Sequence, residues 1–502
     1  MTMKARQLLE SKPRGYHLAE LVVLGADTTT DLLERLAHWL KALEAASEGN
    51  GLLKQLAYDS YRQFDGRPSR LRVALTAYGE GDLRKKMAQM RKMIGDRPQD
   101  GFSFPAAGLF YGAGETGAQM AFLFPGQGSQ YLNMGKALAD AFPAARRAWD
   151  TLGRMRFGAK SITEMVFPPE SMSEEEKKWA FLELCGAEWA SPSIAVAGEA
   201  ILNLLEEMGV RPDAVGSHSF GDIAALRAAH VISSEDMLKA IRLRGDMGVA
   251  CPQATRGCIL VVPESADRIK AELARHGIEQ VWVANYNWGS QTVLSGLKAG
   301  IAKANDVFQA QGINSRLIPI SAAPHCPLSY NVTENFFEHL REIPFAKADF
   351  EVYSSLFGRK VHNDPDLLRK ILKVHSEKPV RFLRQIEQMH RDGVRIFIEV
   401  GPSDVLTQLV GQILEGKAHV ALSTDQRKKD GVLVFLNTVA ELFKENRIKD
   451  LSPLWEGYRL PSTAGLETRG RASASAAVEK YLYQLDLEFA KIEKGYPTAQ
   501  AV

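Results

Sequence analysis

The chain is expected to fold as an α/β protein around a largely parallel sheet. Apolar runs at 120–124, 258–263, 281–286, 315–322, 394–400 and 419–423 read as strands, and helix-forming stretches separate most of them. That alternation is the pattern of a parallel sheet with helical crossovers. A second observation points the same way. The apolar strand end Ala214-Val215-Gly216 passes through a short turn at Ser219 directly into the helix-forming run Ile223-Ala224-Ala225-Leu226.

In chain order, the first unit spans 1–115. It has strands at 18–25 and 69–77, a charged helical stretch at 30–63 between them, and a glycine-rich end from Gly108 to Gly117. A strand begins anew at Met120, so 116–255 opens a larger α/β subdomain. Residues 256–318 read as β-α-β-β-α, a small inserted subdomain, after which 319–430 returns to the larger one. Residues 431–502 are read as a trailing linker and helix. Within them 461–477 is rich in Ala, Ser, Gly and Thr, as flexible linkers are. Val478, Tyr481, Leu482, Leu485, Phe489 and Ile492 then recur at helical spacing until Gly495 and Pro497. The simplest reading is a helix packing on its own domain.

Composition narrows the function classes. With 502 residues the chain has room for roughly 2–4 domains. A formal net charge of +2 gives no bulk attraction to nucleic acid or to a membrane surface. No apolar run approaches the ~18 residues of a membrane span. Met1 to Arg6 leads into polar sequence rather than a signal peptide. Cys185, Cys251, Cys258 and Cys326 form no C-x-x-C pair, which fits a reducing cytoplasm. The eleven histidines are scattered without metal-ligand spacing, so no metal is expected.

Two segments carry chemistry. In Gly216-Ser217-His218-Ser219-Phe220-Gly221-Asp222, a serine on a strand-to-helix turn exposes its hydroxyl and sets the next N–H at a helix N-terminus. Ser217 stands where the G-x-S-x-G pattern has its first glycine. Taken alone, the segment reads equally well as a serine capping a helix. Phe124-Pro125-Gly126-Gln127-Gly128-Ser129-Gln130 is more specific: two glycines free the backbone to approach a ligand after a strand. No G-K-[ST] follows, so it is a poor phosphate loop.

Together with Arg244-Gly245, Ala284-Asn285-Tyr286-Asn287, Pro324-His325-Cys326-Pro327-Leu328, Lys378-Pro379-Val380-Arg381-Phe382 and Glu399-Val400-Gly401-Pro402-Ser403, these segments resemble the malonyl-CoA:acyl-carrier-protein transacylase family across residues 118–430. The layout is most similar to acyltransferase domains of polyketide, polyunsaturated-fatty-acid and enediyne-type synthases. Residues 1–115 resemble the linker between ketosynthase and acyltransferase domains. The resemblance implies an α/β-hydrolase-like large subdomain with an inserted ferredoxin-like small one, and an active site in the crevice between them. It implies Ser219 as nucleophile, His325 as general base, and Arg244 as the partner of a malonyl carboxylate. The backbone N–H groups of Gln127 and Phe220 would form the oxyanion hole. His375 stands where the family usually has Gln or Asn, whose main-chain carbonyl orients the catalytic histidine. Ser191, Trp288 and Pro324 depart from the family's usual residues, and together with Asn287 they mark the substrate pocket.

The implied activity moves a malonyl-type acyl group from coenzyme A through an acyl-serine to the phosphopantetheine thiol of an acyl carrier protein, with no bound cofactor. The carrier protein, and ketosynthase and other synthase domains, are the implied partners. Two rivals stay open. A serine thioesterase or hydrolase would use the same elbow. A degenerate carrier-docking scaffold is suggested by the altered Ser217, Pro324 and His375. Outside the catalytic set, His218 is expected to be structural, Arg242 to lie at the surface, and Cys326 to be a packing residue.

Overall fold

The computed structural model of the chain describes residues 19–45, 52–114, 117–250, 257–318 and 323–458. Cys251, the 461–477 linker and the 478–492 helix expected from sequence lie outside the described residues.

The first unit is a four-stranded antiparallel sheet: β1 (Glu20–Ala26), β2 (Leu71–Ala77), β3 (Phe102–Phe104) and β4 (Leu109–Ala113), in the order β1-β2-β4-β3. β4 occupies part of the segment expected to be a glycine-rich end. Its apolar core, Leu109-Phe110-Tyr111, is buried by pairing with β2, and this outweighs the flanking glycines. The helical stretch expected at 30–63 is two helices, Thr29–Ala45 and Leu52–Gln63, and a third, Glu80–Asp96, follows β2.

β1 and β2 are buried on both faces. Val22, Leu24, Val73, Leu75, Leu109 and Tyr111 face the unit's own helices through Leu32, Leu36, Leu83 and Met87. The alternate residues Leu21, Val23, Ala74 and Phe110 join the core of the rest of the chain. The element that covers them is helix Gly431–Lys444, buried along most of its length. Residues 431–444, assigned from sequence to a trailing linker, are thus an internal layer. Polar groups on that face are matched: Arg72 Nε donates to the Lys444 carbonyl (2.5 Å), Thr76 Oγ1 to Asn437 Oδ1 (2.7 Å) and Tyr78 Oη to Asp430 Oδ2 (2.9 Å).

The central sheet runs β14-β13-β8-β5-β15-β16. It comprises β5 (Gln119–Phe124), β8 (Ala214–Ser217), β13 (Glu351–Ser354), β14 (Arg359–Lys360), β15 (Val394–Glu399) and β16 (Val420–Ser423). All neighbouring pairs are parallel except β13 with the short β14. A two-stranded hairpin, β6 (Arg156–Phe157) with β7 (Lys160–Ser161), lies apart. In open parallel sheets ligands bind beyond the carboxyl ends of the strands. Here those ends carry the Phe124-Pro125-Gly126-Gln127 loop, the Ser219 turn and Gly401.

Between helix Ser234–Ala250 and Ala323 the chain forms a second antiparallel sheet. Its strands are β9 (Gly257–Val262), β10 (Val281–Trp288), β11 (Gln291–Leu297) and β12 (Arg316–Ile318), ordered β10-β11-β9-β12. With helices Ala266–Arg275 and Lys298–Ala310 this is a βαββαβ unit in ferredoxin-like order, enclosing Leu260, Ile269, Leu294, Ile301 and Phe308. The small sheet is tied back to the large subdomain at Tyr286 and Val380. There the Tyr286 N–H donates to the Val380 carbonyl, and the Val380 N–H donates to the Ala284 carbonyl, both at 2.8 Å.

Candidate active site

Ser219 sits just past β8 with φ of 58°, in the left-handed region. A serine there is strained, and strain of this kind persists only where the surroundings impose it. They do so through two glycines. A Cβ on Gly221 would fall 2.3 Å from the Phe124 carbonyl, so only glycine lets helix Gly221–Ala228 start this close to β5. A Cβ on Gly126 would fall 2.8 Å from the His218 carbonyl and 3.1 Å from the Ser219 Cβ, so the Gly126-Gln127 loop lies directly on the serine turn. The His218 N–H donates to the Phe124 carbonyl at 3.0 Å and closes the same contact.

His325 approaches from the segment after the inserted subdomain. Its Nε2 lies 2.6 Å from Ser219 Oγ. Its Nδ1 lies 2.9 Å from the His375 carbonyl and 3.1 Å from the Lys378 carbonyl. Carbonyls only accept, so Nδ1 carries the proton and the Nε2 lone pair faces the serine hydroxyl. The His325 N–H donates to the Ser376 carbonyl at 2.6 Å. These acceptors cluster at the C-terminus of helix Pro365–His375, where the last carbonyls have no partner within the helix. His325 is 3% exposed, and burial, with the neighbouring His375 and Arg244, holds its pKa well below 6.5.

Arg244, on helix Ser234–Ala250, is half-buried, and burial pushes its pKa down to about 10, partly offset by Asp222. Among the described residues its Nη1 is buried without a hydrogen-bond partner. The backbone N–H groups of Gln127 and Phe220 likewise make no hydrogen bond among the described residues. The Gln127 side chain donates to Ser191 Oγ at 3.2 Å, which places Ser191 beside that loop.

The other sequence-chosen positions differ in what they touch. Asn287 accepts from His218 Nε2 at 2.9 Å and donates to Gln291 at 2.9 Å, so it braces the histidine beside Ser219. Trp288 packs onto the core that contains Tyr353, Phe382 and Leu406. Pro324 is half-buried immediately before His325. Cys326 is buried and donates to the Ala323 carbonyl at 3.2 Å. Arg242 is not the free surface residue expected from sequence: it stacks on Phe157 at 3.7 Å and pairs with Asp246 at 2.6 Å. An arginine shields an aromatic face well because its guanidinium is flat and weakly hydrated.

Sequence reasoning did not single out Asp222 and Ser355. Asp222 is buried beneath the serine turn, accepts from Ser217 Oγ, and accepts from Ser355 Oγ at 3.0 Å. Ser217 thus uses its hydroxyl where the usual glycine has none. Asp222 was legible in Ser219-Phe220-Gly221-Asp222 as an acid in the first helical turn; Ser355, at the end of β13, had no local signal.

A parallel α/β core, an inserted four-stranded subdomain and a serine–histidine pair at a strand-to-helix turn define the class of serine acyl-transfer enzymes. The chain belongs to the family described as "Acyl transferase domain", whose sequence profile matches residues 121–446. It is 30% identical over 312 residues to the malonyl CoA-acyl carrier protein transacylase of Bacillus subtilis (strain 168), covering 61% of this chain and 94% of that protein. It is 26% identical over 424 residues to one component of the polyunsaturated fatty acid synthase of Thraustochytrium sp. (strain ATCC 26185 / S-3). That match covers 78% of this chain but only 14% of the synthase component. In fold it is similar to the acyltransferase domain of the iterative polyketide synthase in enediyne biosynthesis, with a TM-score of 0.68 at 21% identity over 88% of this chain and all of that domain. Among the described residues no helix is long and apolar enough to cross a membrane, and no group of three or more His, Cys, Asp or Glu could hold a metal ion.

Proposed function

We propose that the chain transfers a malonyl-type acyl group from coenzyme A to the phosphopantetheine thiol of an acyl carrier protein, in polyketide or fatty-acid-type biosynthesis. The observation that carries this reading is the 2.6 Å contact between Ser219 Oγ and a His325 Nε2 whose opposite nitrogen is committed to a carbonyl. Ser219 Oγ attacks the thioester carbonyl while its proton passes to His325 Nε2. The N–H groups of Gln127 and Phe220 receive the oxyanion. Collapse expels the coenzyme A thiolate, which takes the proton from His325 and leaves an acyl-serine. The carrier thiol then repeats the steps in reverse, with His325 as base.

Arg244 supports a dicarboxylic substrate. Its buried, partnerless Nη1 is costly unless a ligand fills it, and a guanidinium matches a carboxylate through two hydrogen bonds. The name of the Bacillus relative supports the malonyl group and the carrier protein alike. Ketosynthase and other synthase domains as neighbours, and a cytoplasmic location, belong to the same proposal. Ser191, Asn287, Trp288 and Pro324 are proposed to shape the acyl pocket, Asn287 through His218.

Intact-mass measurement after mixing with malonyl-CoA tests the reading. An adduct that is lost in Ser219→Ala and that passes to a carrier protein is expected. Free malonate without transfer would favour a hydrolase, and an unchanged mass with intact malonyl-CoA a scaffold. Arg244→Ala should lower malonyl transfer by about 2–5 kcal/mol in transition-state stabilisation while sparing acetyl. An unchanged malonyl-over-acetyl preference in a folded variant would remove the carboxylate clamp.

A further inference from the structure

Behind His325 lies a buried polar cluster that the transfer reaction does not itself use. The His375 side chain is fully buried. Its Nδ1 is 3.0 Å from Asp222 Oδ2, in contact though not aligned as a hydrogen bond, and its Nε2 is 3.1 Å from Ser355 Oγ. Ser355 also reaches Asp222 Oδ1 at 3.0 Å, and Ser217 donates to the same oxygen. The His325 and His375 rings lie 5.0 Å apart.

Followed around, these contacts form a closed circuit. Ser219 meets His325; His325 Nδ1 meets the His375 carbonyl; the His375 ring meets Asp222 and Ser355; and Asp222 lies three residues after Ser219, in the first turn of the helix that the serine begins. The carbonyl that fixes the tautomer of His325 ends the helix Pro365–His375, and helix ends fray unless something anchors them. The anchor here is the side chain of the same residue, held to the nucleophile's own helix. Reading this circuit as reaction machinery rests on Ser219 and His325 being nucleophile and base.

We propose that Asp222 and His375 are positioning residues, coupled through Ser355, that hold the His375 carbonyl where it aims His325 at Ser219. A main-chain acceptor cannot be chosen by mutation, so its placement must come from packing and side-chain bonds around it. Asp222 sets that placement relative to the serine turn, which ties the two halves of the site across the inserted subdomain. Misplacing a reacting group by about 1 Å is enough to cost on the order of a hundredfold in rate.

The test uses the full chain with Asp222→Asn, His375→Gln, the double variant, and the milder Ser355→Ala. Single-turnover formation of the acyl-serine from malonyl-CoA should fall about tenfold to a hundredfold in each of the first two, with the KM for malonyl-CoA little changed. The double variant should be no worse than the poorer single one, because residues acting as a unit are not additive. The proton resonance of His325 Nδ1–H, assigned by its loss in His325→Ala, should weaken or shift in Asp222→Asn, His375→Gln and Ser355→Ala. Wild-type rates and an unmoved resonance would overturn the proposal, as would losses that multiply and track thermal stability. If the wild-type chain forms no acyl-serine, the transfer reading falls, and the resonance still decides whether Asp222 and His375 set the histidine.

Discussion

His325, the proposed base, shows how burial tunes a single titratable group. Its folded pKa lies well below 6.5 because a charged imidazole is penalised in a buried site next to His375 and Arg244. The neutral form, the only one able to accept the serine proton, therefore persists into mild acid. The rate of acyl-serine formation should be flat from neutral pH downward and fall only below 6.5, the ordinary value. A rate–pH profile with its midpoint at or above 6.5 would contradict this. The same depression contributes stability that is present above 6.5 and lost as pH falls toward the folded value. Gly221 carries a different constraint. Its missing Cβ leaves room for the Phe124 carbonyl, so Gly221→Ala should destabilise by about 1–3 kcal/mol, as overpacking does. It should also lower acylation in the fraction that stays folded, because the turn that opens is the one holding Ser219. Urea melts and acyl-serine yield per folded chain check both parts.

Among the secondary elements, β15 and the helix after it, Val405–Ile413, show burial outweighing hydrogen bonding. Glu399 ends β15 and accepts from the N–H and hydroxyl of Thr407 at 2.7 and 2.9 Å. Its other oxygen, Oε1, has no hydrogen-bond partner among the described residues, and burial pushes the pKa up to about 8. The folded state then binds a proton that the unfolded chain releases near 4.5. Stability from this group is full below 4.5 and is lost as pH rises toward 8. Glu399→Gln should flatten the loss of melting temperature between about pH 4.5 and 8, the window spanned by the shift. A variant that tracks the wild type across that range would refute the assignment. The elements themselves were unevenly legible. β5, β8, β15 and β16 stood out as apolar runs before turns. β13, with only Val352 and Tyr353 as its apolar residues, and β4, among glycines, were missed because their burial comes from neighbouring strands.

Across the whole chain, the first sheet is less an appendage than a shared wall. Continuous apolar runs such as Leu21-Val22-Val23-Leu24 signal burial on both faces, whereas a sheet with one wet face alternates. The covering partner, helix Gly431–Lys444, lies more than three hundred residues away in sequence. Phe110 is fully buried on that shared face. Phe110→Ala should cost about 3–5 kcal/mol, as truncating a core aromatic does. If the wall is shared, the acyltransferase core and the first unit should melt together in that variant. Two separate transitions by calorimetry, with the active-site transition unmoved, would show that they are independent.

Local chemistry left clear marks in the chain. Ser219, His325 and the Gly126-Gln127 loop each sit in a short segment whose backbone demands restrict which residues fit: a left-handed serine, a glycine under a carbonyl, a histidine before a turn. Those demands fall on single positions that a short motif displays, even where the group imposing them lies in the other segment, as with Gly126 against the His218 carbonyl and Gly221 against that of Phe124. Side-chain contacts between distant segments left no such mark. Asp222 with His375 and Ser355, Asn287 with His218, and the burial of 431–444 against the first sheet depend on which surfaces meet once the strands are ordered. Strand order is fixed by the summed burial of many side chains at large sequence separation, and no single short segment encodes that sum.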